Sequence, residues 1–401
     1  MPSFATAGPR RRMLFALPVV AIVVGSMSTP AAAWSPQKTI SDTQLASGQY
    51  DNDLVTQQGG HLHFLFDTEE GPTYQEADPD GTTFGSAKLL KLTGALGDAE
   101  GIASDGNLIV ALYSAHNPHP ASSSLEIRRS TSGGAFFLAA QTIANYHIGY
   151  FIGNGAVAVS GTTVLVAWTD PRHGHVLLRR STDSGKTFGS QIQLGTTTSY
   201  NWVGSSGDDG QVHLAASGSG VVAVWTASSA HNVYAKKLVM RRSTNGGASF
   251  KSTRTLDAGA QSNEGPSVVM AGTEVLISHA TSTGNVSVFR STDGGASFKN
   301  TYLSGSRHTD DDRTDVALDP GDAHNVRLVW NSHGRIYMRR SSNGGASWSA
   351  TEYTHSHGPK SWTLRPNVIV SGGQTVVAWS GSAYSNFNGY DENAVLARSD
   401  P

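Results

Sequence analysis

The sequence predicts an all-β fold, namely a β-propeller of seven four-stranded antiparallel blades that is closed by an N-terminal strand. Three observations support this prediction. A ten-residue segment recurs five times at similar intervals, and short β-branched runs fill each interval. The chain also has no cysteine, so the packing of repeated sheets must supply the stability that disulfides would otherwise give an exported protein.

The repeats set the number of units. The clear copies of the segment begin at Arg128, Arg179, Arg241, Phe289 and Arg339. Their shared serine falls at positions 130, 181, 243, 291 and 341, which gives intervals of 51, 62, 48 and 50 residues. Two weaker copies, at residues 77–84 and 393–401, extend the series at both ends. A period near 50 residues repeated seven times indicates a repeat architecture.

Each unit contains the sequence pattern of four strands. The third unit reads GAVAVSG, TVLVAWTD and HVLLRRS, then the recurring segment, then QIQLGTT. These short β-branched runs are separated by Gly, Asp and Ser, which favours strands joined by tight turns. Four strands per unit are typical of a propeller blade, whereas a solenoid needs fewer strands per repeat.

The recurring segment lies between the third and fourth strands, so it is predicted to be a hairpin turn. The residue two positions after the shared serine is an Asp or Asn in four copies, and this side chain can accept hydrogen bonds from nearby backbone N–H groups. The residue four positions after the shared serine is always Gly, which tolerates a positive φ. An aromatic residue closes the segment and packs beside the sheet. Ser132 replaces the Asp or Asn in one copy, where we expect a looser turn.

This segment resembles the Asp-box, or BNR, repeat of the sialidase superfamily, and the resemblance extends over nearly all of the chain after its first residues. The resemblance implies a β-propeller, with six blades as the alternative because familiar sialidases have six. It also implies that the boxes lie on the face opposite the active site, so their role is structural.

Closure of the ring follows from the ends of the chain. The last unit supplies only three strands before Pro401, while the run PQKTISD at residues 36–42 precedes the first unit's own strands. The N-terminal strand is therefore expected to complete the last blade and cover its edge. Residues 34–401 are predicted to form a single propeller domain.

The first 33 residues have the features of a signal peptide. Three arginines, Arg10 to Arg12, precede a short apolar run, and an Ala-x-Ala site ends at Ala33. We expect cleavage after Ala33 and a secreted, extracellular protein; Sec and twin-arginine export are both open. No later run is apolar enough to span a membrane, so no membrane association is expected after cleavage.

Net charge argues against nucleic acid as a partner. Without the three signal arginines the chain has 26 basic and 31 acidic residues, a net charge of −5. Because nucleic-acid binding requires a basic surface, this class of partner is not expected. The remaining partners are an extracellular glycan or protein, and we expect a monomer.

The catalytic residues of sialidases do not map onto this sequence. Sialidases hold the carboxylate of sialic acid with three arginines, the first in an Arg-Ile-Pro motif, and use a tyrosine nucleophile with acidic partners. This chain has no Arg-Ile-Pro and no arginine between the signal peptide and Arg128. Arg313 and Arg365 are expected on the ligand face, alongside Arg172, Arg307 and Arg335 on loops. The three arginines of sialidases cannot be mapped onto these residue by residue, so sialidase activity is not predicted.

Alternative site residues come from aligning the starts of the innermost strands. Asp53, Glu100 and Asp315 fall at equivalent positions, with Glu264 and Arg365 close by. Converging carboxylates could act as acid and base, could bind sugar hydroxyls, or could be solvated strand ends. Trp202 and Trp362, in long connections, are candidates for ligand contact. No catalytic residue is assigned.

Two further series of residues stand out in the sequence. The second strands end in ring-bearing side chains, and their regularity favours packing between blades over sugar stacking: Phe66, Tyr113, Trp168, Trp225, His279, Trp330 and Trp379. Eleven of the 15 histidines fall on or beside the ligand-face loops, which fits pH-sensitive or metal-assisted binding but also plain polar loops. The acidic run 308–315 fits no defined metal-binding loop. No metal ion and no cofactor are predicted.

Two functions therefore remain. The first is a secreted, sialidase-like propeller that binds a glycan or protein without sialidase activity. The alternative is a glycoside hydrolase, exo-sialidase-like or cleaving another glycan, that uses carboxylates of the central funnel.

Overall fold

The computed structural model of the chain describes residues 38–39, 53–56, 60–68, 70–79, 81, 83–90, 97–118, 121–147, 152, 155–197, 211–229, 232–260, 265–281, 285–303, 313–332, 335–356, 362–383 and 391–399. Within these ranges, strands account for almost all regular secondary structure. The described strands pair into seven four-stranded antiparallel sheets, each built from neighbouring strands in chain order except the last.

The first three complete sheets follow one another along the chain, after the short N-terminal strand β1 (Lys38–Thr39). The first sheet contains β2 (Asp53–Thr56), β3 (Leu62–Thr68), β4 (Gly71–Ala77) and β5 (Lys88–Leu89). The second contains β6 (Ala99–Asp105), β7 (Leu108–Pro118), β8 (Ala121–Ser130) and β9 (Gln141–His147). The third contains β10 (Ala156–Ser160), β11 (Thr163–Asp170), β12 (His175–Ser181) and β13 (Ile192–Thr196).

The next three sheets repeat this plan. The fourth contains β14 (Val212–Ser217), β15 (Gly220–Ser229), β16 (Asn232–Ser243) and β17 (Arg254–Ala260). The fifth contains β18 (Ser267–Ala271), β19 (Glu274–Ala280), β20 (Val286–Ser291) and β21 (Lys299–Leu303). The sixth contains β22 (Thr314–Asp319), β23 (Asp322–Ser332), β24 (Arg335–Ser341) and β25 (Glu352–Ser356).

The seventh sheet joins the two ends of the chain. It contains β26 (Trp362–Ser371), β27 (Gln374–Ala383) and β28 (Asp391–Ser399), with β1 as its outer strand. Lys38 pairs with Leu396 and Thr39 with Val395, both antiparallel. The N-terminal strand thus covers the outer edge of the C-terminal strand, as the sequence predicts.

The hydrophobic core lies between neighbouring sheets. Leu112 and Ile127 of the second sheet pack against Val164 and Trp168 of the third. Phe64 and Phe66 of the first sheet pack against the seventh, so the cores continue across the junction of the two chain ends. Each sheet therefore buries both faces against its neighbours, which explains the continuous apolar runs in the second strands. The predicted all-β propeller with four-stranded antiparallel blades is confirmed.

The recurring ten-residue segment forms the predicted hairpin turn between third and fourth strands. In the third sheet Ser181 Oγ accepts hydrogen bonds from the N–H groups of Asp183 (3.2 Å) and Gly185 (2.9 Å), and donates one to Asp183 Oδ1 (2.7 Å). Asp183 Oδ1 also accepts from the Thr187 N–H at 2.9 Å. The recurring serine is buried in all five copies, so it is the residue that holds each turn together.

The turns differ in two details from the sequence expectation. In the copy with Ser132, its hydroxyl still accepts from the Phe136 N–H, at 3.2 Å, so the turn keeps its shape with a longer bond. The residue three positions after the shared serine also has positive φ, and in one copy this residue is Ser184, with φ of 62°.

The turns also contact the neighbouring sheet. Arg180 Nε donates to the Gly246 carbonyl, and Arg290 Nε donates to the Gly344 carbonyl, both at 2.6 Å. In each case an arginine of one sheet's recurring segment holds the turn of the next sheet. The repeated Arg-Ser motif is thus explained by contacts between sheets as well as within each turn.

Candidate functional site

A central channel runs between the first strands of the sheets. Its cavity has a volume of about 640 Å³ and is lined by β6, β10, β14, β18, β22 and β26. The recurring turns pack against the connections between first and second strands, as in the Gly246 N–H bond to the Ser219 carbonyl at 2.8 Å. They therefore lie at the end of the channel where the first strands finish. The opposite mouth, where the first strands begin, holds Glu100, Arg313 and Asp315.

Carboxylate and amide side chains at this mouth bind the backbone of the next sheet. Glu100 Oε2 accepts a hydrogen bond from the Gly155 N–H at 2.9 Å, and Gln211 Oε1 accepts from the Gly265 N–H at 3.3 Å. Asp67, on a second strand, does the same with the Ala99 N–H at 2.6 Å. These side chains act as inter-sheet hydrogen-bond acceptors, which explains why polar residues begin the innermost strands.

The Asp315 carboxylate accepts more hydrogen bonds than the other side chains of this group. Its Oδ2 accepts from the Val368 N–H of the seventh sheet at 2.7 Å. Its Oδ1 accepts from the Ser267 hydroxyl of the fifth sheet at 2.6 Å and from its own strand's Val316 N–H at 3.0 Å. The Asp315 carboxylate therefore joins three neighbouring sheets.

The surroundings of Asp315 change its acidity. Burial raises the pKa of its carboxyl to about 6, and the hydrogen bonds from Ser267 and Val368 together with the charge of Arg313 offset only part of this rise. The side chain keeps some contact with channel water, yet protein atoms surround the carboxyl closely enough to desolvate it. Its ionisation thus falls near neutral pH.

The other residues predicted from sequence fall in different places. Arg313 is buried beside Asp315, at the start of β22. Asp53 begins β2, and Trp362 and Arg365 lie in β26, which places their backbones at the same mouth. Glu264 and Trp202 lie outside the described residues. The structure thus brings Glu100, Arg313 and Asp315 to one mouth of the channel.

The series of ring-bearing side chains serves packing. All seven members are buried, with exposed fractions of 3% or less. Trp168 donates a hydrogen bond through Nε1 to the Tyr146 hydroxyl at 3.0 Å within the core between sheets. These rings are unavailable for sugar stacking, which confirms the packing interpretation.

A Ser-His-Asp group near the channel mouth does not have the geometry of a catalytic triad. Ser114 Oγ lies 3.3 Å from His116 Nε2, and Asp98 Oδ2 lies 3.0 Å from the same nitrogen. A triad requires the serine and the aspartate on opposite ring nitrogens, because the histidine must take the proton from serine while aspartate orients it. This group is therefore not a nucleophile.

A second polar group was missed by the sequence analysis. Asp170, His173 and His175 lie in the hairpin between β11 and β12, and their ligand atoms lie within 4.8 Å of one another. The two histidines belong to the ligand-face series noted above, but Asp170 was not singled out. The signal was the run Trp168–His175, in which an aspartate and two histidines share one short turn.

Within the part of the chain that is described, the structure contains no helix with the length and apolar character needed to cross a membrane.

Fold and channel define a class: a β-propeller with four-stranded antiparallel blades around a polar-mouthed channel. No protein-family model matches the sequence. No curated protein matches it either.

Solved structures make the class more specific. The chain is similar to a phage phi92 endosialidase (TM-score 0.51, 12% identity, 91% of this chain and 68% of that chain). It is similar to a Hadza microbial sialidase (TM-score 0.51, 12% identity, 71% of this chain and 63% of that one). It is also similar to a Trypanosoma rangeli sialidase in complex with the inhibitor DANA (TM-score 0.50, 12% identity, 91% and 60%). At this identity the similarity shows a sialidase-like propeller fold alone, and the Asp-box assignment stays a prediction.

Proposed function

We propose that the chain is an exported, sialidase-like propeller that binds an extracellular glycan or protein at the channel mouth where the first strands begin, without sialidase activity. The observation that supports this most is the engagement of Glu100 and Asp315. Both carboxylates accept hydrogen bonds from the backbone of the next sheet. An oxygen used in this way is held by the architecture, which favours a structural role for the carboxylate over proton transfer.

The charge of this mouth favours neutral or cationic ligands. A sialoside carboxylate would meet Glu100 and Asp315, and each unit charge at about 6 Å costs on the order of 2–3 kcal/mol at an effective dielectric of about 20. Arg313 is buried next to Asp315 and partly offsets this repulsion. Sugar hydroxyls and basic protein side chains fit the mouth better than an acidic sugar does.

Glycoside hydrolysis is the second candidate, and one observation favours it. The pKa of Asp315 is raised to about 6, which is the range suited to a general acid near neutral pH. In this alternative the Asp315 carboxyl would donate a proton to the leaving group of a glycan, and a second carboxylate outside the described side chains would complete the pair.

A glycan array and a fluorogenic sialoside assay test the proposal together. We expect binding to neutral or basic glycans, or to a protein, and no release of sialic acid. Trp362→Ala should weaken binding with an unchanged melting temperature. Phe136→Ala is the matched control, because this ring is 55% exposed but lies on a recurring turn at the other end of the channel. Sialoside turnover that Arg365→Ala abolishes would overturn the proposal in favour of an enzyme.

We also infer that the seven described sheets are the blades of one closed ring. Contacts between first strands run in sequence through β2, β6, β10, β14, β18, β22 and β26, and return to β2. A six-bladed ring would leave one of these sheets outside this circuit. Export, cleavage after Ala33 and a monomeric state belong to the same proposal. N-terminal sequencing of the secreted protein and light scattering test them; an intact N-terminus or a dimer mass would contradict them.

A further inference from the structure

The hairpin between β11 and β12 brings two imidazoles and a carboxylate together. Asp170 Oδ2 lies 3.0 Å from His173 Nδ1, and one ligand atom from each of Asp170, His173 and His175 lies within 4.8 Å of the others. The two imidazole rings stack with their centroids 5.4 Å apart and an interplanar angle of 21°. No other group of this kind occurs in the described part of the chain.

The backbone holds this arrangement in place. Asp170 and His175 face each other as the last strand pair before the turn. The Gly174 N–H donates to the Asp170 carbonyl at 2.8 Å, and Gly174 adopts a φ of 61°, which favours glycine there. The Thr197 N–H in turn donates to the Gly174 carbonyl at 2.7 Å. The turn is therefore fixed from both sides, so the three side chains start close to a common point.

We propose that Asp170, His173 and His175 form a binding site for a divalent transition metal of the zinc class. Two imidazole nitrogens with one carboxylate oxygen are a ligand set that Zn²⁺ accepts, whereas Ca²⁺ and Mg²⁺ prefer oxygen ligands alone. Zinc–ligand bonds of about 2.0–2.2 Å require the three atoms to draw closer together by small side-chain rotations. His173 is 58% exposed, so those rotations meet little resistance.

His173 is exposed and His175 is half-buried, so water can reach a metal ion held by this group. Three protein ligands with an open fourth position are the arrangement in which zinc binds water or an outside oxygen ligand. The hairpin connects a second to a third strand, so it lies at the end of the channel that carries the charged mouth. The metal would add a positively charged contact for an oxygen-bearing ligand on this face. The metal site does not depend on the proposed function, because metal binding is measured without any glycan.

Arg172 is the neighbour that opposes metal binding. Its Nε lies 3.5 Å from Asp170 Oδ1, and its guanidinium lies 4.7 Å from the centre of the Tyr146 ring. The guanidinium faces Oδ1, whereas His173 faces Oδ2, so the metal and the arginine use different oxygens. A cation this close still reduces the affinity for a second cation. Removing it should therefore strengthen metal binding, an effect that a purely structural Asp–His hydrogen bond does not predict.

Metal titration of the full secreted chain tests the proposal. The protein is purified without a histidine tag, stripped with a chelator and titrated with Zn²⁺ by calorimetry, with Co²⁺ absorption spectra as a second probe. We expect one ion per chain. His173→Ala and His175→Ala should each weaken binding at least about tenfold, and Arg172→Gln should strengthen it.

His324→Ala is the matched control. His324 Nδ1 lies 3.0 Å from Asp322 Oδ1, so it forms a His–Asp pair at the same distance as His173 and Asp170. Both residues of this pair are exposed, and the pair lies outside the three-residue group. We expect its zinc affinity to equal that of the unchanged protein. Circular dichroism confirms that each variant is folded. The proposal is overturned if no Zn²⁺ binds, or if His173→Ala and His324→Ala affect binding equally.

Discussion

Replacing Asp315 with asparagine tests whether burying this ionised carboxylate at the channel mouth lowers the stability of the folded protein. Asparagine keeps the size of the side chain and one oxygen, which can still accept from the Val368 N–H. Its amide group can donate to the Ser267 hydroxyl, which now donates to Asp315. The Val316 N–H keeps a second acceptor, because Ser267 Oγ lies 3.3 Å from it. The substitution therefore removes the charge and keeps most of the hydrogen bonds.

The size of the effect follows from the pKa of Asp315. Burial raises this pKa from 3.8 to about 6, and a shift of about 2 units corresponds to about 3 kcal/mol. Because the folded state binds the proton more tightly than the unfolded state, this contribution to stability is fully present below pH 3.8. It is lost as the pH rises through about 6. Contact with channel water reduces the penalty, so we expect about 1–3 kcal/mol.

Urea unfolding of both proteins at pH 4, 5, 6 and 7 measures this contribution. We expect Asp315→Asn to gain about 1–3 kcal/mol relative to the unchanged protein between pH 4 and pH 7. Asp293→Asn is the control, because its stability relative to the unchanged protein should hardly change between pH 4 and pH 7. Hydrogen bonds from Ser297 and Ser291 hold the pKa of Asp293 below its usual value, so the contribution of this carboxylate is lost only as the pH falls below about 4. Asp315→Ala should instead destabilise the protein by about 1–3 kcal/mol, because the Val368 N–H loses its acceptor.

A stability difference between Asp315→Asn and the unchanged protein that stays constant from pH 4 to pH 7 would refute the reasoning. It would mean that the Asp315 carboxyl ionises as it does in the unfolded chain. A loss of glycan cleavage in Asp315→Asn with unchanged stability would identify the carboxyl as a catalytic acid instead.

Four other changes test the turns and the ring. Ser184→Gly should stabilise the protein by about 0.5–1 kcal/mol in thermal unfolding, because Ser184 has a φ of 62° that glycine adopts without strain; a lower melting temperature would contradict this. Ser243→Ala should cost about 1–3 kcal/mol, since the buried Gly247 N–H loses its acceptor, and a neutral result would show that the hydroxyl is dispensable. Asp293→Ala should lower the stability by about 0.5–1 kcal/mol, at the lower end for the loss of a cap because the side chain is exposed. It should leave ligand affinity unchanged, and a loss of binding with a normal melting temperature would show that the recurring turns take part in function. Deleting residues 34–44 should lower the melting temperature strongly, because it removes the partner of β28, and normal melting would refute closure.

Most of the fold could be predicted from the sequence because the residue pattern that defines each blade is local and recurs in every unit. The four-stranded blades follow from the four β-branched runs and the one turn motif in each unit. The β1–β28 pairing follows from the strand that the last unit lacks. The structure contains both. The role of the shared serine could not be predicted from the sequence. Ser181 stands out there only as a position shared by the repeats, yet its hydroxyl makes three hydrogen bonds in the turn. A small buried hydroxyl has no sequence pattern of its own, so only the geometry reveals this.

The site was less predictable because its contacts connect residues of different sheets. Aligning the strand starts correctly places Glu100 and Asp315 at one mouth of the channel. It does not reveal that each is bound to a backbone N–H of the next sheet. The hairpin cluster was missed for the opposite reason. Asp170, His173 and His175 are close in sequence, but they lie in a hairpin away from the aligned starts of the innermost strands, from which the candidate residues came.

Six of the inter-sheet hydrogen bonds nevertheless share a sequence signature. Each joins a polar side chain to a backbone N–H about one repeat later, at both ends of the first strands. The separations range from 53 to 56 residues for Glu100 with Gly155, Asp105 with Gly161, Gln211 with Gly265, Ser217 with Gly272, Asp315 with Val368 and Asp319 with Gly373.

Five of these six donors are glycines, and space explains part of this preference. A Cβ on Gly155 would lie 2.9 Å from Leu112, and one on Gly265 would lie 2.6 Å from His213. The six bonds join only the second sheet to the third, the fourth to the fifth and the sixth to the seventh. A carboxylate at the mouth of this channel therefore belongs first to a series of contacts that holds sheets together in pairs. Because glutamine and serine fill the same role as glutamate and aspartate in this series, acidity is not what the position requires. This is the strongest reason to assign a structural role to the described carboxylates and to look for ligand contacts in the loops at the end of the channel where the first strands begin.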